Sequence, residues 1–292
     1  MLNLTTLLST ANINPSDVLV LRHRPIEAKL RKSLPALALK RPDLFRFYQQ
    51  LQYPKVESAM RRATYIASFV GLDDNRSIFC YLYRNAGPIE IDEKTFWRMP
   101  ENGELRDGFG MLGWLENDRK TALWFELKEE NNLMEYRGRL EITWAPPAKS
   151  WYRWAHKNSF PITAIHEESV LDSQPIDWRM LSLEWVELTV LPKSWEDKLS
   201  QWRGIYLIEN TKNRKFYVGA AYGENNLLGR WRDYMRSGDG GNKLLKNLDP
   251  KFFRFSILQI TAHDLPADEV IELEKTWKKR LNTFAPNGLN MQ

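Results

Sequence analysis

Apolar positions change their spacing several times along the 292 residues. Up to about residue 62 they recur at helical intervals broken by prolines. Asn14-Pro15-Ser16-Asp17 offers a capping side chain followed by proline, a helix start. Pro25, Pro35 and Pro42 punctuate the next stretch, and Asp43 to Tyr53 reads as one more helix. From about 63 the pattern turns extended. Thr64 to Leu72 and Ser77 to Tyr83 are rich in β-branched and aromatic residues, and Asp73-Asp74-Asn75 separates them as a hairpin turn. Ala122 to Leu127 and Arg137 to Trp144 read as two more strands, the second ended by Pro146-Pro147 because proline cannot donate to a ladder. Pro161 to Ile165 and Trp185 to Leu191 read the same way. The expectation for 1–195 is an α+β domain with a mostly antiparallel sheet or small barrel. Neither an internal repeat nor a low-complexity segment interrupts it.

Pro192 to Gln201 reads as a connecting helix, and the texture changes after it. Gly204 to Glu209 and Lys215 to Ala220 flank the turn residues Asn210-Thr211-Lys212-Asn213-Arg214. Leu227 to Arg236 and Gly241 to Leu248 predict helices, and Phe252 to Ile260 predicts a strand. Ala267 to Asn282 predicts a last helix, begun by Pro266 and by Asp268 and Glu269, acidic residues that suit the positive helix end. Residues 196–292 thus form a second domain, a three-stranded antiparallel sheet flanked by helices.

Composition narrows the class. Twelve Trp and thirteen Phe exclude a chain that is disordered over most of its length. No run approaches ~18 uninterrupted apolar residues, so no membrane association is expected. The first basic residue is Arg22, which leaves the start without the charge of a secretory signal. Cys80 is the single cysteine, so neither an internal disulfide nor a cysteine-based zinc site can form. A cytoplasmic location is the expectation. Residues 201–292 carry 15 Lys and Arg against 10 Asp and Glu, while 1–200 carries 27 of each. The whole net charge of +5 therefore lies in the last third, which points to a polyanionic partner there.

The predicted hairpin reads Gly204-Ile205-Tyr206 and then Tyr217-Val218-Gly219. Arg230 follows on the next helix, Glu274 with Trp277 on the last one, and Gly288-Leu289-Asn290 near the end. This ordered set resembles the GIY-YIG nuclease superfamily, over roughly residues 203–290. The resemblance implies a DNA endonuclease that hydrolyses phosphodiesters with one divalent ion, Mg²⁺ or another such as Mn²⁺, held by Glu274. It implies a site built from Tyr206, Tyr217, Arg230, Tyr234, Glu274 and Asn290. Tyr206 would activate water, a role that needs its phenol pKa lowered by the nearby cation or arginine. Arg230 would stabilise the phosphate and Asn290 would brace the site. Many relatives carry histidine four residues after the arginine, where this chain has Tyr234. No histidine lies between Glu167 and Arg254, so a histidine base within the module is not expected; His263 falls in a predicted loop.

The residues themselves allow blander readings beside these. Arg230 and Tyr234, four apart, share a helix face, and Arg230 is either a phosphate fork or a surface charge. Glu274 falls on the apolar arc of Val270, Leu273, Trp277 and Leu281. A carboxylate there needs a metal or a buried salt bridge to an arginine. Tyr206 and Tyr217 alternate with apolar neighbours and read equally as core aromatics, and Asn290 near the chain end reads equally as frayed. Arg232 and Lys243 are the module's expected DNA contacts, and the glycine-rich Gly238 to Lys243 is either a phosphate cradle or a plain helix start. In the first domain, Trp151, Arg153 and Trp154 mix aromatics with bases, as in single-strand stacking platforms, or are half-buried strand residues. The expected activity is restriction or phage defence, with modified bases among the targets and a homodimer when both strands are cut. Alternatives are a structure-specific repair or recombination nuclease, and a non-catalytic DNA-binding protein that kept the fold.

Overall fold

Asn3 accepts a hydrogen bond from the Thr5 amide at 3.2 Å and starts helix α1 (Leu4–Thr10), whose Leu4, Leu7 and Leu8 are buried. Strand β1 (Val18–His23) comes after it, buried at every position. This computed structural model describes residues 2–72, 75–114, 119–146, 150–173 and 176–291, so Asp73, Asp74 and Pro147 of the expected turns lie outside the described residues. The expectation of helix with breaks through residue 62 is corrected by β1. A strand covered on both faces shows no alternation, so its apolar run cannot be told from buried helix by periodicity.

Helices α2 (Ala28–Lys40), α3 (Pro42–Gln50) and α4 (Pro54–Met60) come next. The last two place proline in the first turn, where its missing N–H leaves no bond unmade. Strands β2 (Tyr65–Gly71) and β3 (Arg76–Asp92) are followed by α5 (Glu93–Arg98), α6 (Pro100–Phe109) and β4 (Thr121–Glu130). Three short strands, β5 (Leu140–Thr143), β6 (Tyr152–Trp154) and β7 (Ile162–Ile165), complete this unit. The sheet runs β6-β1-β2-β3-β5-β7, with β4 also on β3. Only β1 and β2 pair in parallel among these strands. Val18 and Val20 meet the α1 leucines, Phe69, Phe79 and Trp144 on one face. On the other, His23 of β1 meets Gln49 of α3 at 3.1 Å, and the Tyr81 hydroxyl donates to the Ala38 carbonyl of α2 at 2.9 Å.

The chain divides into compact units at Ser173 and Gln174, not at 195. The reason is strand β8 (Ser182–Glu184), which pairs antiparallel with β11 (Phe253–Thr261) of the second unit, while Leu181, Leu183, Leu188 and Leu191 join that unit's core. The strand expected over 185–191 is a 3-10 helix, Trp185–Val190, begun by a reciprocal capping box between Glu184 and Glu187. After α7 (Lys193–Gln201) come β9 (Arg203–Asn210) and β10 (Lys215–Ala221), α8 (Asn226–Ser237), then β11 and α9 (Ala267–Arg280). The antiparallel order β10-β9-β11-β8 places β9 centrally and adds one strand to the three expected. The helix expected over 241–248 is a series of turns, opened by Gly238, Gly240 and Gly241 at positive φ.

Alternation along β9 sorts the two faces of this sheet. Tyr206 and Ile208 pack with Leu227, Leu228, Trp231 and Tyr234 of α8. Ile205 packs with Val218 and Val270, backed by Leu207, Leu273 and Trp277 of the α9 side. Among the described residues no helix is long and apolar enough to cross a membrane.

Candidate active site

In the β9–β10 register, Gly219 lies opposite Tyr206. A Cβ on residue 219 would overlap the Tyr206 hydroxyl and Cζ and press on the Tyr217 ring. The glycine of the second triplet therefore opens the space that the tyrosine of the first occupies. Gly240 does the same at the other end, because a Cβ there would fall 2.6 Å from Cε1 of Tyr234.

Into this space α8 sends Arg230 and Tyr234 from successive turns. Nε of Arg230 donates to the Tyr206 hydroxyl at 3.1 Å, and Nη2 approaches the Tyr234 hydroxyl at 3.4 Å. The two hydroxyls are 3.1 Å apart. The guanidinium carbon stands 4.9 Å from the centre of the Tyr234 ring, a cation–π contact. Asn242 adds its Nδ2 to the Tyr234 hydroxyl at 3.4 Å. Tyr217 joins through its ring, 6.3 Å from Tyr234 and 6.5 Å from Tyr206. Tyr206, Tyr217, Arg230 and Tyr234 thus form one cluster. Its aromatic members are core residues as well, which merges two readings the residues had left separate.

Burial sets the electrostatics. Tyr206 and Tyr234 are fully buried. Loss of hydration raises the Tyr206 phenol well above its ordinary range, Tyr217 adds to the rise, and Arg230 offsets only part of it. Tyr234 rises for the same first reason, with Tyr206 and Tyr217 adding to it. Both are neutral phenols at neutral pH. The lowered phenol expected of Tyr206 beside Arg230 is therefore not found in the chain alone. Burial works against the charge of Arg230, but the phenol oxygens it faces outweigh that cost and hold it firmly charged. The Tyr217 hydroxyl makes no hydrogen bond to another described residue, and its side chain keeps 7% of its exposure.

Glu274 lies on α9, half-buried, and pairs with Lys278 one turn on at 2.8 Å. It is not the lone buried carboxylate that its helix arc suggested, and its partner is lysine rather than arginine. Lysine four residues on extends back along the helix to cover it. Nearby, Nε1 of Trp277 donates to Oε1 of Gln259 at 2.9 Å and fastens α9 to β11. Among the described residues no group of three or more His, Cys, Asp or Glu side chains converges. A divalent ion here would rest on one carboxylate, with water and substrate oxygens completing its shell, the habit of Mg²⁺.

Asn290 is buried and clamps β10. Its Oδ1 accepts from the Val218 amide at 2.9 Å, and its Nδ2 donates to the Val218 carbonyl at 2.8 Å. β10 is an edge strand, so one side chain satisfies the groups a missing strand would have bonded.

The remaining expected contacts are dispersed. Nη2 of Arg232 pairs with Glu196 of α7 at 2.6 Å, and Lys243 is exposed in the turns after α8. Neither reading of Gly238 to Lys243, a phosphate cradle or a plain helix start, is formed. The amides of Gly240 and Gly241 bond Ser237 Oγ and Asp239 Oδ1, both at 2.7 Å, within the loop itself. Trp151, Arg153 and Trp154 lie at the edge strand β6 of the first unit, all half-buried. Arg153 stands 4.8 Å over the Trp144 ring, and Arg62 stands 5.8 Å over Trp154. Trp151 instead meets His23 and Tyr152. Asn242, Gln259 and Lys278 escaped sequence reasoning, and only Lys278, four residues after Glu274, left a readable signal.

A family model described as the GIY-YIG catalytic domain matches residues 203–290. Among solved structures, the catalytic domain of the homing endonuclease I-TevI is 32% identical, over 31% of this chain and 98% of that one, with a TM-score of 0.27. A mutant of the catalytic domain of the intron endonuclease I-TevI is 32% identical over 31% and 94%, with a TM-score of 0.26. No curated protein matches the chain.

Proposed function

Because the chain belongs to the GIY-YIG family through residues 203–290, we propose that it is a divalent-ion-dependent DNA endonuclease whose second unit cuts and whose first unit selects the site. The observation that carries this reading is Arg230, anchored through Nε and Nη2 by two buried phenols. That anchorage leaves Nη1 for a phosphate oxygen. Two tyrosines buried beside a fixed guanidinium form a preorganised charge, effective where negative charge builds in a transition state.

In the proposed reaction a water oxygen attacks phosphorus in line with the leaving ester oxygen, and the bond to that oxygen breaks. Tyr206, enclosed and bonded to Arg230 and Tyr234, is assigned to hold the guanidinium. Tyr217, whose hydroxyl is uncommitted among the described residues, is assigned to orient the water. This moves the water-handling role from Tyr206 to Tyr217. Glu274 is the residue that would hold Mg²⁺ or Mn²⁺. Its carboxylate already faces the ammonium of Lys278, so a cation exchanged into that place meets the same charge. When bound, the ion polarises the phosphate as a Lewis acid. Asn290 fixes β10 and with it Tyr217.

We assign the enzyme to restriction or phage defence, acting as a homodimer when both strands are cut, because the nuclease module follows a larger separate unit with its own core. The test is cleavage of unmodified, 5-methylated and hydroxymethylated duplex DNA, each with Mg²⁺, Mn²⁺ or EDTA. Cleavage with metal and none with EDTA is expected, with a preference among the three DNAs. Intact DNA under every metal condition, or undiminished cutting in EDTA, overturns the reading.

A further inference from the structure

The first unit carries an open cavity of about 460 Å³, within the roughly 300–1,000 Å³ of small-molecule sites. Six aromatic side chains line it: Phe47, Tyr48, Tyr53, Phe96, Trp114 and Trp151. Their ring contacts are edge-on or tilted. His23 meets Tyr48 edge-on at 5.3 Å and Trp151 tilted at 6.4 Å, and Phe96 meets Trp114 tilted at 5.8 Å. None of these contacts is a face-to-face stack.

One polar group of the cavity, His23, is fixed by its neighbours. The Gln49 amide donates through Nε2 to the Phe45 carbonyl at 3.1 Å, which turns Oε1 towards the Ser68 hydroxyl and Nε2 of His23. His23 Nε2 is therefore the N–H, and Nδ1 carries the free lone pair. His23 is 2% exposed, and Nδ1 has no hydrogen-bond partner among the described residues. Burial holds the imidazole at about 4, below its ordinary 6.5, so the ring stays a neutral acceptor. Arg22, Arg24 and Arg119 also line the cavity with Glu27, but Arg119 is paired with Glu57, Arg22 donates to Ser77 and to the Leu72 carbonyl, and one Glu27 oxygen accepts from the Leu112 amide at 3.1 Å.

We propose that this cavity takes a single nucleobase extruded from DNA, stacked among the aromatic side chains and donating an N–H of its pairing edge to Nδ1 of His23. A planar heterocycle with an N–H donor matches the aromatic lining and the unspent acceptor together. An extruded base is read in this way by stacking and by its Watson–Crick edge. Residues 1–173 carry 24 basic and 22 acidic residues, so selection by this unit cannot come from bulk charge and must come from local contacts. That the base belongs to DNA rests on the nuclease reading; the cavity chemistry does not.

The test is saturation-transfer NMR and tryptophan fluorescence of the full chain with each of the four deoxynucleoside 5′-monophosphates. A fifth ligand is the monophosphate of the difluorotoluene deoxynucleoside, which keeps the shape of thymidine and lacks the N–H. Saturable binding of at least one natural nucleotide is expected, weakened at least tenfold in Trp151→Ala. Tyr53→Ala, at a lining position that is 42% exposed, should weaken it similarly and keeps the test valid if the tryptophan variant does not fold. The isostere should bind at least tenfold more weakly than thymidine monophosphate. DNA cleavage with Mg²⁺ is measured on the same preparation, so a failed nuclease reading shows as intact DNA while the nucleotide signal persists. Absence of binding at 10 mM, or binding indifferent to both aromatic substitutions, overturns the proposal.

Discussion

Both units bury polar aromatic side chains, yet they arrange them in opposite ways. In the second unit Tyr206, Tyr234 and Arg230 point inward at each other and satisfy their own hydrogen bonds. In the first unit His23 spends one nitrogen on Gln49, leaves the other without a hydrogen bond among the described residues, and lines a cavity. A closed cluster holds one charge rigidly, which suits a transition state. An open cavity with an unspent acceptor suits recognition. Under the proposed function the difference is one between chemistry and selection, and it can be broken or sharpened residue by residue.

The largest effect is expected on α9. Glu274→Ala should bring cleavage to background with Mg²⁺ while DNA binding, measured by gel shift, stays near wild type. Its partner Lys278 is an i,i+4 neighbour on a half-buried face, so stability should change by no more than about 0.5 kcal/mol in denaturant unfolding. Normal cleavage by this variant removes Glu274 from the site. Arg230→Lys comes next. Lysine offers a point charge and cannot bridge two phenols while reaching a phosphate, so single-turnover cleavage should fall on the order of 10²-fold or more. A near-normal rate returns Arg230 to ordinary surface charge.

Acid should then set the units apart. The folded value of His23 lies below its unfolded 6.5, so its contribution is complete above 6.5 and is lost as pH falls towards 4. For a buried group with that shift the loss is on the order of 3 kcal/mol. Calorimetry between pH 7 and 4 should show the transition of the first unit moving down further than that of the second. Alkali does not discriminate, because burial raises Tyr48 and Tyr83 in the first unit as it raises Tyr206 and Tyr234 in the second. Stability of both should decline above about pH 10. The smallest effect is expected at the edge strand. Asn290→Ala strands the amide and carbonyl of Val218 and should cost about 1–3 kcal/mol in the unfolding of the second unit.

The two regions also differ in how far they could be read from the chain. The cluster was legible because its residues recur in order within 88 positions, and because strand and helix spacing put Tyr206, Tyr217, Arg230 and Tyr234 on facing surfaces. The half-exposure of Glu274 was not, since it depends on how Lys278 folds back along the helix. Nor was β8, a three-residue strand whose pairing is decided by β11 some seventy residues away. The cavity left no pattern at all. His23 sits at the end of a uniformly buried strand, and its aromatic neighbours come from α3, the residues after it, α5, the segment before β4 and the approach to β6. Only the fold brings such scattered positions together, and no local periodicity records it.

The division of labour is tested most directly by comparing the DNA ends made by residues 174–292 with those made by the full chain. This fragment holds its own four-stranded sheet, both of its helix-packed cores and the whole excess charge of residues 201–292. The account predicts that the fragment cuts with Mg²⁺ at sites unrelated to those of the full chain, and with steep salt dependence. A fragment that reproduces the full-length pattern, or one that folds and leaves DNA intact with Mg²⁺, contradicts it.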